Sequence, residues 1–278
     1  MPLFRGQVYQ DRWLNQMAEP MRIAVFSDVH GNPFACRAVL QAIHREGRFE
    51  AIVAAGDLCL GGSDPGGCID LLRANNVLAV YGNTEEYLYQ PEKESRDDNH
   101  RRKWGKLQPA VRWALAGLAE DQLDWLRGLP FELRFSPNDR SEDDLLVVHA
   151  NPVDVELMIL PPEEVQRSLW GEVRQANNDT SLALTLQAVT AKTIAFGHFH
   201  YSSERVLGDK RLVNVASCSL PGVDHNWLAR YTTFTWRGRN WHIERRWVEY
   251  EAEHEISALN ASDMPSKEFF ISYFGQAG

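Results

Sequence analysis

The apolar positions fall into short runs, each closed by a small polar cluster. Met21–Ser27 (MRIAVFS) is almost wholly apolar and suits a strand buried on both faces. Asn32-Pro33 follows as an N-cap and first-turn pair, which predicts a helix through Glu46 with Ala35, Val39, Ala42 and Ile43 on one side. Ala51–Ala55 reads as a second strand, Asp64-Pro65 opens a second helix carrying Ile69, Leu71 and Leu72, and Val77–Tyr81 is a third strand. This alternation is the pattern of an α/β unit with a partly parallel sheet.

Beyond Glu85 the character changes. The charged stretch EKESRDDNHRRKWGK (92–106) gives way to helical spacing through Val111, Leu115, Leu118, Leu123 and Leu126, which predicts a cap-like helical insertion over residues 86–134. Leu145–Val148 and Thr193–Phe196 are further buried strands. Between them lies a helical region, Pro161–Ala191, with a loop expected at Asn177–Asp179. Arg211–Tyr250 alternates strands and turns in antiparallel style, with a hairpin turn at Arg237-Gly238. The domain is expected over 21–250, preceded by an N-terminal extension (1–20) and followed by a C-terminal tail (251–278) with an apolar patch at Phe269–Phe274.

The polar clusters that close the strands carry the chemistry. They are Asp28-Val29-His30, Gly56-Asp57, Gly82-Asn83, His149-Ala150-Asn151 and Gly197-His198-Phe199-His200. In α/β sheets functional groups collect beyond the carboxyl ends of strands, where Asp28, Asp57 and Asn83 stand. One histidine at a strand end is ordinarily a satisfied polar residue, and His149 alone would say no more. Together, two Asp, one Asn and four His can surround two divalent metals. Such a pair, ~3.5–4 Å apart, clamps a phosphoryl group and deprotonates a bridging water. Asp57, alone at the end of the central strand, is the natural bridge. His198 and His200 can divide between the metals. The donors suit Mn, Fe, Zn or Ni better than Ca or Mg alone, and Mn is put first.

Composition narrows the class. At 278 residues with 44% apolar and 24% charged residues, the chain can bury a full core. A net charge of -9 disfavours nucleic acid as a partner, so an anionic substrate must be drawn by metals or a local basic patch. Cys36, Cys59, Cys68 and Cys218 form no CxxC pair and read as ordinary thiols. With no signal-type or membrane-spanning apolar block, a cytoplasmic location is expected. His44, His242 and His254 have no partner motif and read as surface or packing residues. The basic cluster Arg101, Arg102, Lys103 and Lys106 reads as a solvated helix face balanced by Asp97 and Asp98, with a phosphate-binding lip as the alternative. Trp104, Trp113 and Trp125 read as packing residues, a nucleobase stack being the alternative.

In order and spacing, SDVHGN (27–32), AGDL (55–58), YGNTEE (81–86), VHAN (148–151) and GHFH (197–200) resemble the calcineurin-like metallophosphoesterases. More narrowly, they look like the small bacterial and archaeal phosphodiesterase branch, over roughly Met21–Trp236. The resemblance implies an α/β (α+β) fold, a two-sheet β-sandwich flanked by helices. By position it implies one metal on Asp28, His30 and His200 with the bridging Asp57. The second would sit on Asn83, His149 and His198, and Asn83 would also touch the phosphate. Asn214, Ser217 and Gly222 look like the strand and loop that close one wall of the site.

One position departs from the family pattern. Many members carry a histidine directly after the Gly-Asn, where it helps the leaving oxygen. Here that place is Thr84, followed by Glu85 in place of the usual Asp. A threonine hydroxyl holds its proton too tightly to be a good general acid. Substrates with good leaving groups are therefore expected, or a substitute acid at His225 or His100. The resemblance as a whole implies a phosphodiesterase that cleaves a small nucleotide-like phosphodiester through a metal-bridging hydroxide. The catalytic set would be Asp57, Asn83, Thr84 and His225. The alternatives are a dinucleoside polyphosphate hydrolase and a non-catalytic binding module that keeps the metal site. Nothing in the sequence indicates an oligomeric state.

Overall fold

The computed structural model describes residues 20–89, 98–173, 179–220 and 227–275. Among them are ten strands, β1 (Arg22–Phe26), β2 (Ala51–Ala55), β3 (Leu78–Val80), β4 (Glu132–Phe135), β5 (Leu145–Val148), β6 (Thr193–Phe196), β7 (Ser203–Leu207), β8 (Lys210–Asn214), β9 (Ala229–Trp236) and β10 (Trp241–Val248). The described helices are α1 (Pro33–Glu46), α2 (Pro65–Ala74), α3 (Asn83–Tyr89), α4 (Asp98–Gly117), α5 (Glu120–Arg127), α6 (Glu163–Trp170), α7 (Asp179–Leu186), α8 (Ala252–Ala261) and α9 (Lys267–Gly275).

The strands form two five-stranded sheets, ordered β10-β9-β1-β2-β3 and β4-β5-β6-β8-β7. The first runs parallel through β1, β2 and β3, with β9 antiparallel to β1 and β10 antiparallel to β9. The second is parallel through β5, β6 and β8, and its edges β4 and β7 are antiparallel. Ile23, Val25, Val53 and Val80 of one sheet pack against Leu145, Val147, Ala195 and Val213 of the other, sealed by Phe234 and Trp241. The alternate residues of the same strands serve the outer layers. Ala24, Phe26 and Ala54 meet the helices, as Leu146, Ile194 and Leu212 meet Leu182 and Leu186 of α7. Burial on both faces explains why these strands read as continuous apolar runs.

The helices start where the sequence places them. Asn32 Oδ1 accepts the N–H groups of Phe34 and Ala35 at 3.1 and 3.0 Å, and Asp64 Oδ1 accepts that of Gly67 at 2.8 Å. A side-chain N-cap of this kind contributes about 1 kcal/mol. Several features differ from the sequence expectation, among them β7, for which no strand was expected. β4 was not foreseen, because its residues are mostly half-buried on an edge and alternate only weakly. Asp179, expected in a loop, begins α7; residues 174–178 lie outside the described part. The segment read as a tail forms α8 and α9, and its Ala252, Leu259, Met264, Phe270 and Phe274 enter the helix-side core. That core also takes Leu107, Ala110, Val111, Ala114 and Leu118 from α4 or its end and Leu126 from α5. None of the described helices is long and apolar enough to cross a membrane.

Candidate metal centre

The polar strand ends converge at one edge of the sandwich, on backbone in an uncommon conformation. Asp28, His30, Asp57, His198 and His200 have φ of 55°, 49°, 54°, 67° and 56°. Left-handed backbone at a non-glycine residue costs of order 1–3 kcal/mol and persists only where the surroundings fix it. Here the Asp28 N–H donates to the Gly56 carbonyl at 3.0 Å, and the His30 N–H to the Asp57 carbonyl at 2.9 Å. The His198 N–H donates to Asp28 Oδ2 at 3.0 Å. Gly197 makes that last approach possible, since a Cβ there would stand 1.9 Å from Ser27 Oγ.

Two groups of donors result, Asp28–His30–His200 and Asp57–His149–His198, with the donor atoms of each group within 4.8 Å of one another. In the first, His30 Nε2 and His200 Nε2 are 3.1 Å apart, and His200 Nε2 is 3.3 Å from Asp28 Oδ1. In the second, His149 Nε2 lies 3.0 Å from Asn83 Oδ1 and 3.2 Å from His198 Nδ1. Asp57 reaches both, with Oδ1 3.3 Å from His149 Nε2 and Oδ2 3.7 Å from His30 Nε2. All seven sequence-read donors are thus in one place.

Backbone carbonyls decide which ring nitrogens face inward. His30 Nδ1 lies 2.7 Å from the Leu60 carbonyl, His149 Nδ1 2.8 Å from that of Ala55, and His198 Nε2 3.2 Å from that of Glu156. A carbonyl can only accept, so each of those nitrogens carries a proton, and in the neutral ring the opposite nitrogen presents a lone pair. In the neutral rings the lone pairs of His149 Nε2 and His198 Nδ1 meet at 3.2 Å. Asp28 Oδ1 is buried without a well-directed hydrogen-bond partner. Converging lone pairs and an orphaned carboxylate oxygen are what a bound cation satisfies, and mixed oxygen and imidazole donors suit a divalent transition metal.

Charge follows the same logic. Burial alone would raise the Asp28 carboxyl, but His200, His149 and His30 hold it well below the usual carboxylate range. Asp57 is likewise lowered against its burial by His149 and His30. Burial lowers His30, whereas Asp57 and Asp28 raise His149 in spite of its burial.

Around the donors stands a bracing layer that the sequence indicated only in part. Thr84 donates both its N–H and its hydroxyl to Asp57 Oδ1, each at 3.0 Å. The hydroxyl is therefore spent on holding a carboxylate and is not presented as a proton donor to substrate. Glu85, fully buried, accepts the N–H groups of Asp57, Leu58 and Gly82 at 2.8–2.9 Å and locks two strand ends together. Asn214 donates to the Gly197 carbonyl at 2.8 Å, and Ser217 donates to that of Asp28 at 3.1 Å. The carbonyls of Leu60, Ala55 and Glu156 carried no signal, because a backbone acceptor leaves no mark on residue type. Gly222 and His225 lie in 221–226, outside the described residues, as does the side chain of His100. His44 pairs with Asn75 and His254 with Glu251, both at the surface. Trp113 and Trp125 pack against the helix-side core.

Residues 21–202 match the family model for calcineurin-like phosphoesterases. An uncharacterised protein of Methanocaldococcus jannaschii is 32% identical over 135 residues, 49% of this chain and 51% of that protein. The match thus spans about half the length of that curated relative. A metallophosphoesterase from Sphaerobacter thermophilus superposes with a TM-score of 0.64 at 19% identity, over 93% of this chain and 99% of the other. A hypothetical protein from Pyrococcus horikoshii OT3 gives 0.70 at 17% identity, over 91% and 97%. At these identities the likeness concerns the fold, which is the two-sheet α/β architecture the motifs imply. The family match runs from the residue before β1 past His200 and takes in every donor of the centre: the chain belongs to the calcineurin-like phosphoesterase family.

Proposed function

We propose that the protein is a two-metal phosphodiesterase acting on a small, nucleotide-like phosphodiester. The observation that carries this reading is the division of Asp57, one carboxylate oxygen toward each donor group. A single carboxylate shared in this way suits two adjacent cations. When bound, such cations would supply positive charge to lower the pKa of water and to neutralise phosphoryl oxygens. Mn is the first candidate, with Fe, Zn or Ni as alternatives.

The chain's own residues set the rest. The carbonyl-held protons of His30, His149 and His198 turn the opposite ring nitrogens inward, where in the neutral rings each would offer a lone pair to a metal. Thr84 and Glu85 fix the orientation of Asp57 and of its loop. Asn83 Oδ1 faces His149, and the same side chain would touch the phosphate. With Thr84 committed to Asp57, the position the family commonly gives to a histidine has no acid to offer. Leaving groups that depart as stable anions are favoured, which is also why a dinucleoside polyphosphate hydrolase stands second. All seven donors being present weighs against a non-catalytic module. The four cysteines are buried thiols without disulfides, in keeping with a reducing, cytoplasmic setting.

The test is hydrolysis of bis-p-nitrophenyl phosphate by metal-stripped protein with Mn, Ni, Zn or Mg added back. Activity should return with Mn foremost and be abolished by Asp57→Asn. No turnover with any metal, despite two bound per chain, would transfer the reading to the non-catalytic module.

A further inference from the structure

The loop over residues 58–64, between β2 and α2, contributes no donor to the centre, yet it governs one. Its Leu60 carbonyl accepts the His30 Nδ1–H at 2.7 Å, and that bond selects the nitrogen His30 turns inward. The loop is bound to the His30 segment along its backbone. Gly31 N–H donates to the Leu58 carbonyl at 3.0 Å, and Asp64 N–H to that of Gly31 at 2.9 Å. At Gly62 a Cβ would stand 2.4 Å from the His30 carbonyl oxygen, so loop and ligand segment touch backbone to backbone.

The other side of this loop is gripped from the C-terminal helices. Glu255 of α8 is 1% exposed, and its two carboxylate oxygens accept both donors of Ser63, the N–H at 2.8 Å and the hydroxyl at 2.7 Å. The ring of Phe270, from α9, packs on Gly61. Both residues lie beyond residue 202, where the family match ends. A buried carboxylate is expensive unless its oxygens are satisfied, and here one loop residue, Ser63, donates to both of them.

We propose that Glu255 is a positioning residue for His30: through Ser63 it fixes the 58–64 loop, whose Leu60 carbonyl sets the tautomer and direction of the His30 ring. This rests on the reading of His30 as a metal donor. Glu255 touches neither metal nor substrate, and its effect reaches the centre only through the loop. The consequence is specific. Loosening the grip should weaken the site built on Asp28, His30 and His200, and leave the site built on Asn83, His149 and His198 as it was.

The experiment titrates the metal-free full chain with Mn2+ alone by calorimetry at pH 8, comparing wild type, Glu255→Gln and Ser63→Ala. Each metal-free protein is also melted, and the imidazole nitrogens are followed by NMR. The wild type should bind two Mn2+, and both variants should lose about tenfold in affinity at one site only. The His30 Nδ1–H signal should shift in the variants while that of His149 stays in place. Ser63→Ala removes one hydroxyl and keeps the test decisive should Glu255→Gln not fold. Two unchanged affinities, or an equal loss at both sites that tracks the melting temperature, would overturn the positioning role while leaving the metal centre intact. A wild type that binds no Mn2+ would overturn both.

Discussion

At the scale of single residues, Thr84 separates this chain from the common form of its family. Its hydroxyl and N–H both serve Asp57 Oδ1. Thr84→Val keeps the shape and the N–H but deletes the hydroxyl bond, so it should weaken metal retention and lower turnover by roughly tenfold without unfolding the chain. Metal content after dialysis and the rate on an aryl diester measure this; an unchanged value for both would mean that the hydroxyl does not hold Asp57. A second expectation concerns the leaving group. Rates should fall steeply from aryl to alkyl phosphodiesters, and equal rates, with chemistry limiting, would refute a missing acid. The donors themselves were legible in the sequence because they are side chains of distinctive type in distinctive order. Their support was legible only in part. Thr84 and Glu85 were seen as departures, but nothing in their names said that one holds Asp57 and the other ties its loop to Gly82.

Elements were readable in proportion to how evenly they are buried. β1, β2, β5 and β6 lie between two packed layers and stand out as apolar runs, and α1 and α2 carry capping side chains with proline behind them. α8 has no side-chain cap at its start, and short helices draw their stability from packing rather than from local preference. That is why residues 251–278 read as a tail. Their packing has a measurable signature. Burial, against the two Ser63 hydrogen bonds and with Asp64 adding to it, pushes Glu255 from an ordinary 4.5 up to about 7. The folded chain therefore holds this proton more tightly than the unfolded one. Stability contributed at this site is full below about pH 4.5 and declines as pH rises to about 7, a change of up to ~3 kcal/mol. Denaturant melts should show the loss in wild type and a flatter profile in Glu255→Gln; parallel profiles would contradict it. At the other wall, Gly197→Ala would drive a methyl onto Ser27 Oγ and Asp28 Oδ2, at 1.9 and 2.5 Å. A loss of at least a few kcal/mol is expected in the same melts, and a loss under ~1 kcal/mol would show that this strand end can shift.

For the whole molecule, charge and architecture act together. A net charge of -9 repels anions in general, so the centre must supply the local attraction for a phosphoester. Each sheet sends donors to the same edge: Asp28, His30, Asp57 and Asn83 from one, His149, His198 and His200 from the other. The two sheets can therefore be tied together by whatever the donors hold. Metal should raise the melting temperature, since a ligand at a hundred times its Kd adds about 2.7 kcal/mol to stability. The family, the fold and the site follow from one arrangement of strand ends, and two bound cations are what that arrangement most directly demands. Anomalous diffraction from crystals grown with Mn2+ tests this. Two peaks ~3.5–4 Å apart are expected, one beside Asp28, His30 and His200, the other beside Asn83, His149 and His198, with Asp57 between. One peak, or none within reach of Asp57, would contradict the two-metal account.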